Sequence, residues 1–346
     1  MAELFRGAAQ GEALLSDQMF IQRQKLLEKL EPHRVKDERL EGLIASINFP
    51  ILQQVFDEER RQAVHAPQEG EVAPARFFTA DDIVLTNKEG YKAIGRTTTD
   101  QLMSYAGGPG VVVVNTESLA LEEEFTPALP PQLLFLRALI HEAGHATSSH
   151  YHQKTGKDTS KYQVGVHQID LYHSKEGARQ VPMFELLNEA INEYRTIQLT
   201  KAYVKASPLE GVTHADLDKL DNLYVYKSTS LEYFMAYHLV DQMVKGIAKD
   251  TGVSPDAVWE SLVHAAINGL DFESRDAKMT LNLDELFGRG FTKGLTNLSQ
   301  ENLIPFIQKH VPGEYLKFME ALTKHVRYVD SVFKRLTAEG RMPAGE

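Results

Sequence analysis

The sequence predicts an α+β protein, mainly helical, with one small twisted sheet. Three observations point there. Helical apolar spacing dominates both ends of the chain, a β-type block lies between about residues 76 and 118, and linker or turn composition separates the zones. At 346 residues the chain holds about two domains, or one large domain with an extension, at roughly 150 residues per domain. Hydrophobic residues are 42% and charged residues 25%, a globular composition that excludes disorder as the main state. A net charge of -11 has the wrong sign for covering phosphates, so nucleic acid is excluded as a primary partner. The absence of cysteine removes disulfide frameworks, thiolate metal sites and cysteine nucleophiles together.

From about residue 17 to 64 the pattern is helical and strongly charged. Leu26, Leu27 and Leu30 recur at helical spacing, as do Leu40, Leu43 and Ile44, and Pro32 and Pro50 punctuate two or three helices. Residues 66–75 (APQEGEVAPA) have linker composition, which divides a charged helical segment, 1–70, from the remainder, 71–346. Strand signals follow at Ile83–Thr86, Ala93–Thr99 and Val111–Asn115, with turns at Asn87–Gly90 and Gly107–Gly110. The run Val111–Val114 reads either as a buried core strand or as an edge strand. The expectation drawn from it is an edge strand that pairs with an extended substrate, a pairing that Val113→Pro should weaken without unfolding the protein.

Beyond Pro131 the chain reads as helix. An apolar stripe of Leu133, Leu134, Leu136, Leu139 and Ile140 runs into His141 within a helix over about 131–153. A polar connection reaches Gln180, and a second helix spans about 183–205. A helical C-terminal part fills about 228–340, its first helix running from about Thr229 to Asp250 and its next opened by Ser254-Pro255-Asp256. The N-terminal residues carry Glu3, Arg6, Glu12 and Asp17 with no apolar block, and the eight-residue stretch Leu133–Ile140 is interrupted by Arg137. No signal peptide or membrane span is expected, and the location expected is cytoplasmic as translated, with export by a non-classical route left open.

His141-Glu142-Ala143-Gly144-His145 is an H-E-x-x-H motif inside an apolar helix. Residues i and i+4 share a helix face, so His141 and His145 can aim ring nitrogens at one zinc ion. Glu142 is rotated by about 100°, which puts its carboxylate beside the metal, where it can take a proton from water. The alternative is a helix with two surface histidines. Gly144 costs up to about 1 kcal/mol against alanine in a helix interior, which implies that something packs closely against it.

A catalytic zinc needs a third protein ligand. Thr147 and Tyr151 stand where a metzincin requires glycine and histidine, which excludes that pattern. Downstream, Glu189 and Glu193 lie four apart on one face of a helix whose other face carries Leu186, Leu187, Ile191 and Tyr194. Glu189 is the first candidate. Glu193 and the segment from His167 through Asp170 to His173 are the alternatives, His167 and His173 being able to reach the cleft as substrate-binding or oxyanion groups. His150 and His152 fall off the His141 and His145 face by helical phase.

With His141–His145 and Asn188-Glu189 followed by an acid four positions on, the chain resembles the gluzincin zinc metallopeptidases, the broad thermolysin-like clan. The resemblance covers about 60 residues. It implies a zincin-like domain with the small sheet over the motif helix, Glu189 as zinc ligand and Glu193 orienting a ligating histidine. It also implies an oxyanion-stabilising Tyr or His after the third ligand, for which Tyr224, Tyr226, Tyr233, Tyr237 and His238 are candidates and Tyr233 and Tyr237 the first choices. Two departures stand out: the stretch from His145 to Glu189 is longer than in thermolysin-like enzymes, and Glu193 replaces the usual Asp. The pentapeptide also looks like that of membrane-anchored AAA proteases, but no G-x-x-x-x-G-K-[ST] loop is present, so no ATP motor is expected. The expectation is a zinc-dependent metallopeptidase acting on a peptide or protein substrate, Glu142 assisting water. The alternative is an inert regulatory or interaction protein with a structural zinc.

Overall fold

The computed structural model describes residues 20–63, 71–72, 79–94, 102–106, 110–126, 129–148, 150–154, 156, 159–174, 177–220, 231–268, 289–298 and 300–341. Helix α1 covers 20–30, and α2 (Glu38–Ala45) and α3 (Phe49–Gln62) follow. Pro50 opens α3 in its first turn rather than ending a helix, because proline's missing N–H is costless there, and Asn48 caps the same turn by accepting from Ile51 N–H at 3.2 Å. After β1 (Glu71–Val72) and β2 (Ile83–Thr86), the expected turn at Asn87 is the N-cap of a short helix, α4 (Lys88–Ala93), with the Asn87 side chain accepting from Gly90 N–H. Then come β3 (Met103–Ala106), β4 (Val111–Asn115), α5 (Ser118–Phe125) and the motif helix α6 (Pro131–Thr147).

The first sheet has the order β2-β4-β3, with β4 parallel to β2 and antiparallel to β3. Val111–Val114 therefore form the central strand, and the expectation of an edge strand is corrected. The four valines divide between two cores by the period of two: Val112 and Val114 join the main core with the motif helix, while Val111 and Val113 pack with Leu30, Val84 and Tyr91. All four are fully buried, so a continuous apolar run here signals cover on both faces. The third strand is Met103–Ala106, whereas the expected strand at Ala93–Thr99 begins on the last residue of α4 and continues into residues outside those described.

The motif helix stops at Thr147, six residues short of the expectation. Residues His150–Lys154 (β5), Thr159–Val164 (β6), His167–Ser174 (β7) and Gly177–Met183 (β8) form an antiparallel meander, and β1 pairs with β5 to give the order β1-β5-β6-β7-β8. The chain expected as a polar connection is thus a second sheet, and it fills the long stretch between His145 and Glu189. Its β6–β7 hairpin turns on Gly165 and Val166, with Gly165 at φ 59, and Pro182 is tolerated because β8 lies at the sheet edge.

Helix α7 (Glu185–Ala206) follows and packs against α3, α6 and two later helices. Among the described residues the remaining helices are α8 (His214–Leu220), α9 (Leu231–Thr251), α10 (Pro255–Asn268), α11 (Phe291–Thr296), α12 (Gln300–His310) and α13 (Pro312–Ala338). One buried cluster joins Leu136, Leu139 and Ile140 of α6, Ala190 and Ile191 of α7, Val240 and Val244 of α9, and Leu43, Leu52 and Phe56 of the N-terminal helices. Helices α2 and α3 are therefore built into the core that carries the motif. Among the described residues no helix is long and apolar enough to cross a membrane.

Candidate metal centre

Helices α6 and α7 bring His141, His145 and Glu189 together as a group whose ligand atoms lie within 4.8 Å of one another. The two histidine Nε2 atoms are 3.2 Å apart, and Glu189 Oε2 lies 3.4 Å from each. These three edges match one face of a tetrahedron around zinc, for which ligand bonds of about 2.0–2.1 Å imply ligand separations of about 3.3–3.4 Å. Glu189 Oε2 is buried and has no hydrogen bond among the described residues. The arrangement fits a divalent ion bound by two imidazoles and one carboxylate, and these three residues are close enough to hold one.

Three further polar residues of α7, Asn192, Glu193 and Arg195, support this arrangement. Glu193 Oε1 lies 2.8 Å from His141 Nδ1 as an ion-pair partner, and its Oε2 accepts from Arg137 Nη2 at 2.7 Å. A histidine whose Nδ1 is engaged in this way presents Nε2 as its free ligand atom. Asn192 Nδ2 donates to the backbone oxygen of His141 at 2.8 Å. Its amide also explains Gly144: a Cβ there would lie 1.9 Å from Asn192 Oδ1. Arg195, 1% exposed, donates to Gly144 O at 3.0 Å, to Ser148 Oγ and Thr147 Oγ1 at 3.2 Å each, and forms a two-pronged pair with Glu59 of α3 at 2.9 and 2.7 Å. It thus satisfies carbonyl and hydroxyl groups at the C-terminal end of α6, where a positive charge also complements the helix dipole.

Glu142 stays outside the ligand group. Its Oε2 accepts from the backbone N–H of Tyr105 on β3 at 2.6 Å, which fixes the carboxylate between the motif helix and the outer strand of the first sheet. The electrostatics of the cluster are strongly coupled. Burial disfavours a charged His141, but the carboxylates of Glu193, Glu189 and Glu142 outweigh it and hold the imidazole well above its usual range. Burial likewise pushes the Glu189 carboxyl up, and the two histidines overcome this and bring it far below the usual range. Glu193 is lowered against the same burial penalty by Arg137 and His141. The pocket therefore favours anionic carboxylates together with a compensating positive charge.

Of the other sequence candidates, His167 begins β7 beside α7, while the side chains of His150, His152, Asp170, His173 and Tyr233 lie outside the described residues, as do Tyr224 and Tyr226 entirely. Tyr237 stacks on Trp259 at 5.5 Å, and Trp259 stacks on Tyr194 at 4.5 Å, so its ring serves the packing of α9, α10 and α7. Sequence reading missed Arg137, Asn192 and Arg195 as parts of the centre. Arg137 alone left a signal, as the one charge inside an eight-residue apolar stretch. No protein family matches the chain, and no curated protein or solved structure is detectably similar to it.

Proposed function

We propose that the protein is a metal-dependent hydrolase of peptide bonds in the manner of the gluzincin metallopeptidases, with zinc as its ion. The observation that carries this reading is the preformed triangle of His141, His145 and Glu189 with a fourth acidic side chain, Glu142, held beside it and not in it. Imidazole and carboxylate donors at this spacing suit zinc, and three protein ligands leave a coordination position open. A bound zinc supplies Lewis acidity, polarising a carbonyl and lowering the pKa of water.

The chain's own residues supply the rest. Glu142 accepts the proton of the attacking water and returns it to the leaving amine, and Tyr105 N–H keeps its carboxylate oriented for both transfers. Glu193, braced by Arg137, fixes the His141 ring. A purely structural ion would have no use for a carboxylate kept beside an open position, and this argues against the inert alternative. The test is metal content together with proteolysis of an unstructured protein. Wild type should hold about one zinc per chain and cleave; Glu189→Ala should lose the metal; Glu142→Gln should keep it and lose about 10²- to 10⁴-fold in rate. Full zinc occupancy in Glu189→Ala, or full activity in Glu142→Gln, overturns the assignment.

A further inference from the structure

Apart from the metal centre, a cavity of about 530 Å³ lies between α3, α7 and α10. Small-molecule sites commonly occupy about 300–1,000 Å³. By helical phase Gln198, which lines the cavity, stands opposite Glu189, so the space is on the far side of α7 from the ligand triangle. Its origin is legible in α7: Ala202 and Ala206, one turn apart, present methyl groups where larger side chains would fill the gap between the helices. Arg195 takes part in both places. It holds Gly144 O of the motif helix, and its pair with Glu59 forms part of the cavity wall.

The charges that line this cavity do not balance. Glu58 pairs with Arg61 at 2.7 Å and Glu59 with the buried Arg195 at 2.7 Å, which leaves the carboxylate of Glu260 on α10 without a compensating cation. Glu260 and His264 stand one turn apart on the same wall, and neither side chain has a hydrogen bond or ion pair among the described residues. Val55, Leu199 and Val263 supply apolar surface, and Tyr194 adds a ring held in place by its stack on Trp259 at 4.5 Å. An anionic ligand would meet three carboxylates while both guanidinium groups are already paired. A cation with a hydrocarbon body suits every part of the wall: the carboxylate gives a charge-assisted hydrogen bond, and the aromatic and aliphatic groups pack against the body. We propose that the cavity binds a small organic ammonium ion, its N–H groups donating to Glu260 and His264 and its apolar body lying against Val55, Leu199 and Tyr194. None of the metal-ligand residues takes part, so the proposal stands apart from the hydrolytic reading.

The experiment is titration calorimetry on the full chain with three probes that share one body and differ in the head group: phenylbutylamine, phenylbutanol and phenylbutyrate. Wild type should bind the amine about tenfold or more tighter than the alcohol, and the acid weakest of the three. Two variants at exposed positions locate the site. Glu260→Gln keeps the shape and removes the unbalanced charge, so the amine should fall to about the affinity of the alcohol while the alcohol is unchanged. Ala202→Trp fills the cavity, so amine and alcohol should both weaken by about tenfold or more. Circular dichroism and metal content should match wild type in both variants. An amine bound no tighter than the alcohol by wild type overturns the proposal, as does full amine affinity in Glu260→Gln. Binding unchanged in a folded Ala202→Trp puts the amine elsewhere, the metal centre included, and overturns it too. Should Ala202→Trp fail to fold, the head-group series on wild type and Glu260→Gln still decides.

Discussion

Gly144→Ala offers a direct check on how the two ligand-bearing helices meet. In an isolated helix the change should stabilise by about 1 kcal/mol. Here the added Cβ would lie 1.9 Å from Asn192 Oδ1 and 2.9 Å from its Cγ, inside any tolerable contact. Asn192 is 3% exposed, and its Nδ2 is committed to the His141 carbonyl. Either the helices separate, at an overpacking cost of about 1–3 kcal/mol, or the amide swings away and strands buried polar groups at about the same cost. Set against the propensity gain, the net effect is a loss of up to about 2 kcal/mol from packing alone, more where both costs apply. Because α6 supplies two ligands and α7 the third, the same displacement opens the triangle and should weaken zinc binding about 10- to 100-fold, the scale of a disturbed ligand support. Urea unfolding of the metal-free protein and competition with a chromophoric chelator measure the two effects. Asn192→Ala vacates the contested volume, so adding Gly144→Ala to it should cost nothing further, a coupling between neighbours that a double-mutant cycle resolves. A Gly144→Ala protein as stable as wild type, with unchanged zinc affinity, refutes this account of the helix crossing.

Three further outcomes follow from particular contacts. Arg195→Met removes the buried partner of Glu59 and three donors to the end of α6, and should cost about 3–5 kcal/mol in chemical denaturation; a loss under about 1 kcal/mol would mean that Arg195 is not the clamp it resembles. Val113→Pro strikes the middle of a three-stranded sheet and should abolish the folded protein by circular dichroism, through a penalty of about 3 kcal/mol or more; a folded variant with only KM altered would return Val111–Val114 to the sheet edge. Glu193→Gln keeps the shape but loses the anion that faces His141 and Arg137, and should weaken zinc about 10- to 100-fold without abolishing it, whereas an effect equal to that of Glu189→Ala would reverse the roles given to the two glutamates.

The sequence by itself determined the parts of this protein whose logic is local. His141 and His145 share a face because four residues make about one helical turn, and Glu189 and Glu193 share a face for the same reason, so both halves of the centre were legible before any fold was known. Gly144 announced a close neighbour by its cost in a helix, although not which neighbour. The tertiary structure decided what depends on residues far apart in the chain. Asn192, Arg195 and Arg137 are ordinary polar residues until α7 crosses α6, and only that crossing gives them carbonyls and a carboxylate to hold. Four consecutive valines are apolar in either a central or an outer strand, and the pairing with β3, a strand only four residues long, settled their place. The meander between His145 and Glu189 is built from polar strands whose hydrogen bonds run between segments, so the apolar periodicity that exposed the helices had little to register there.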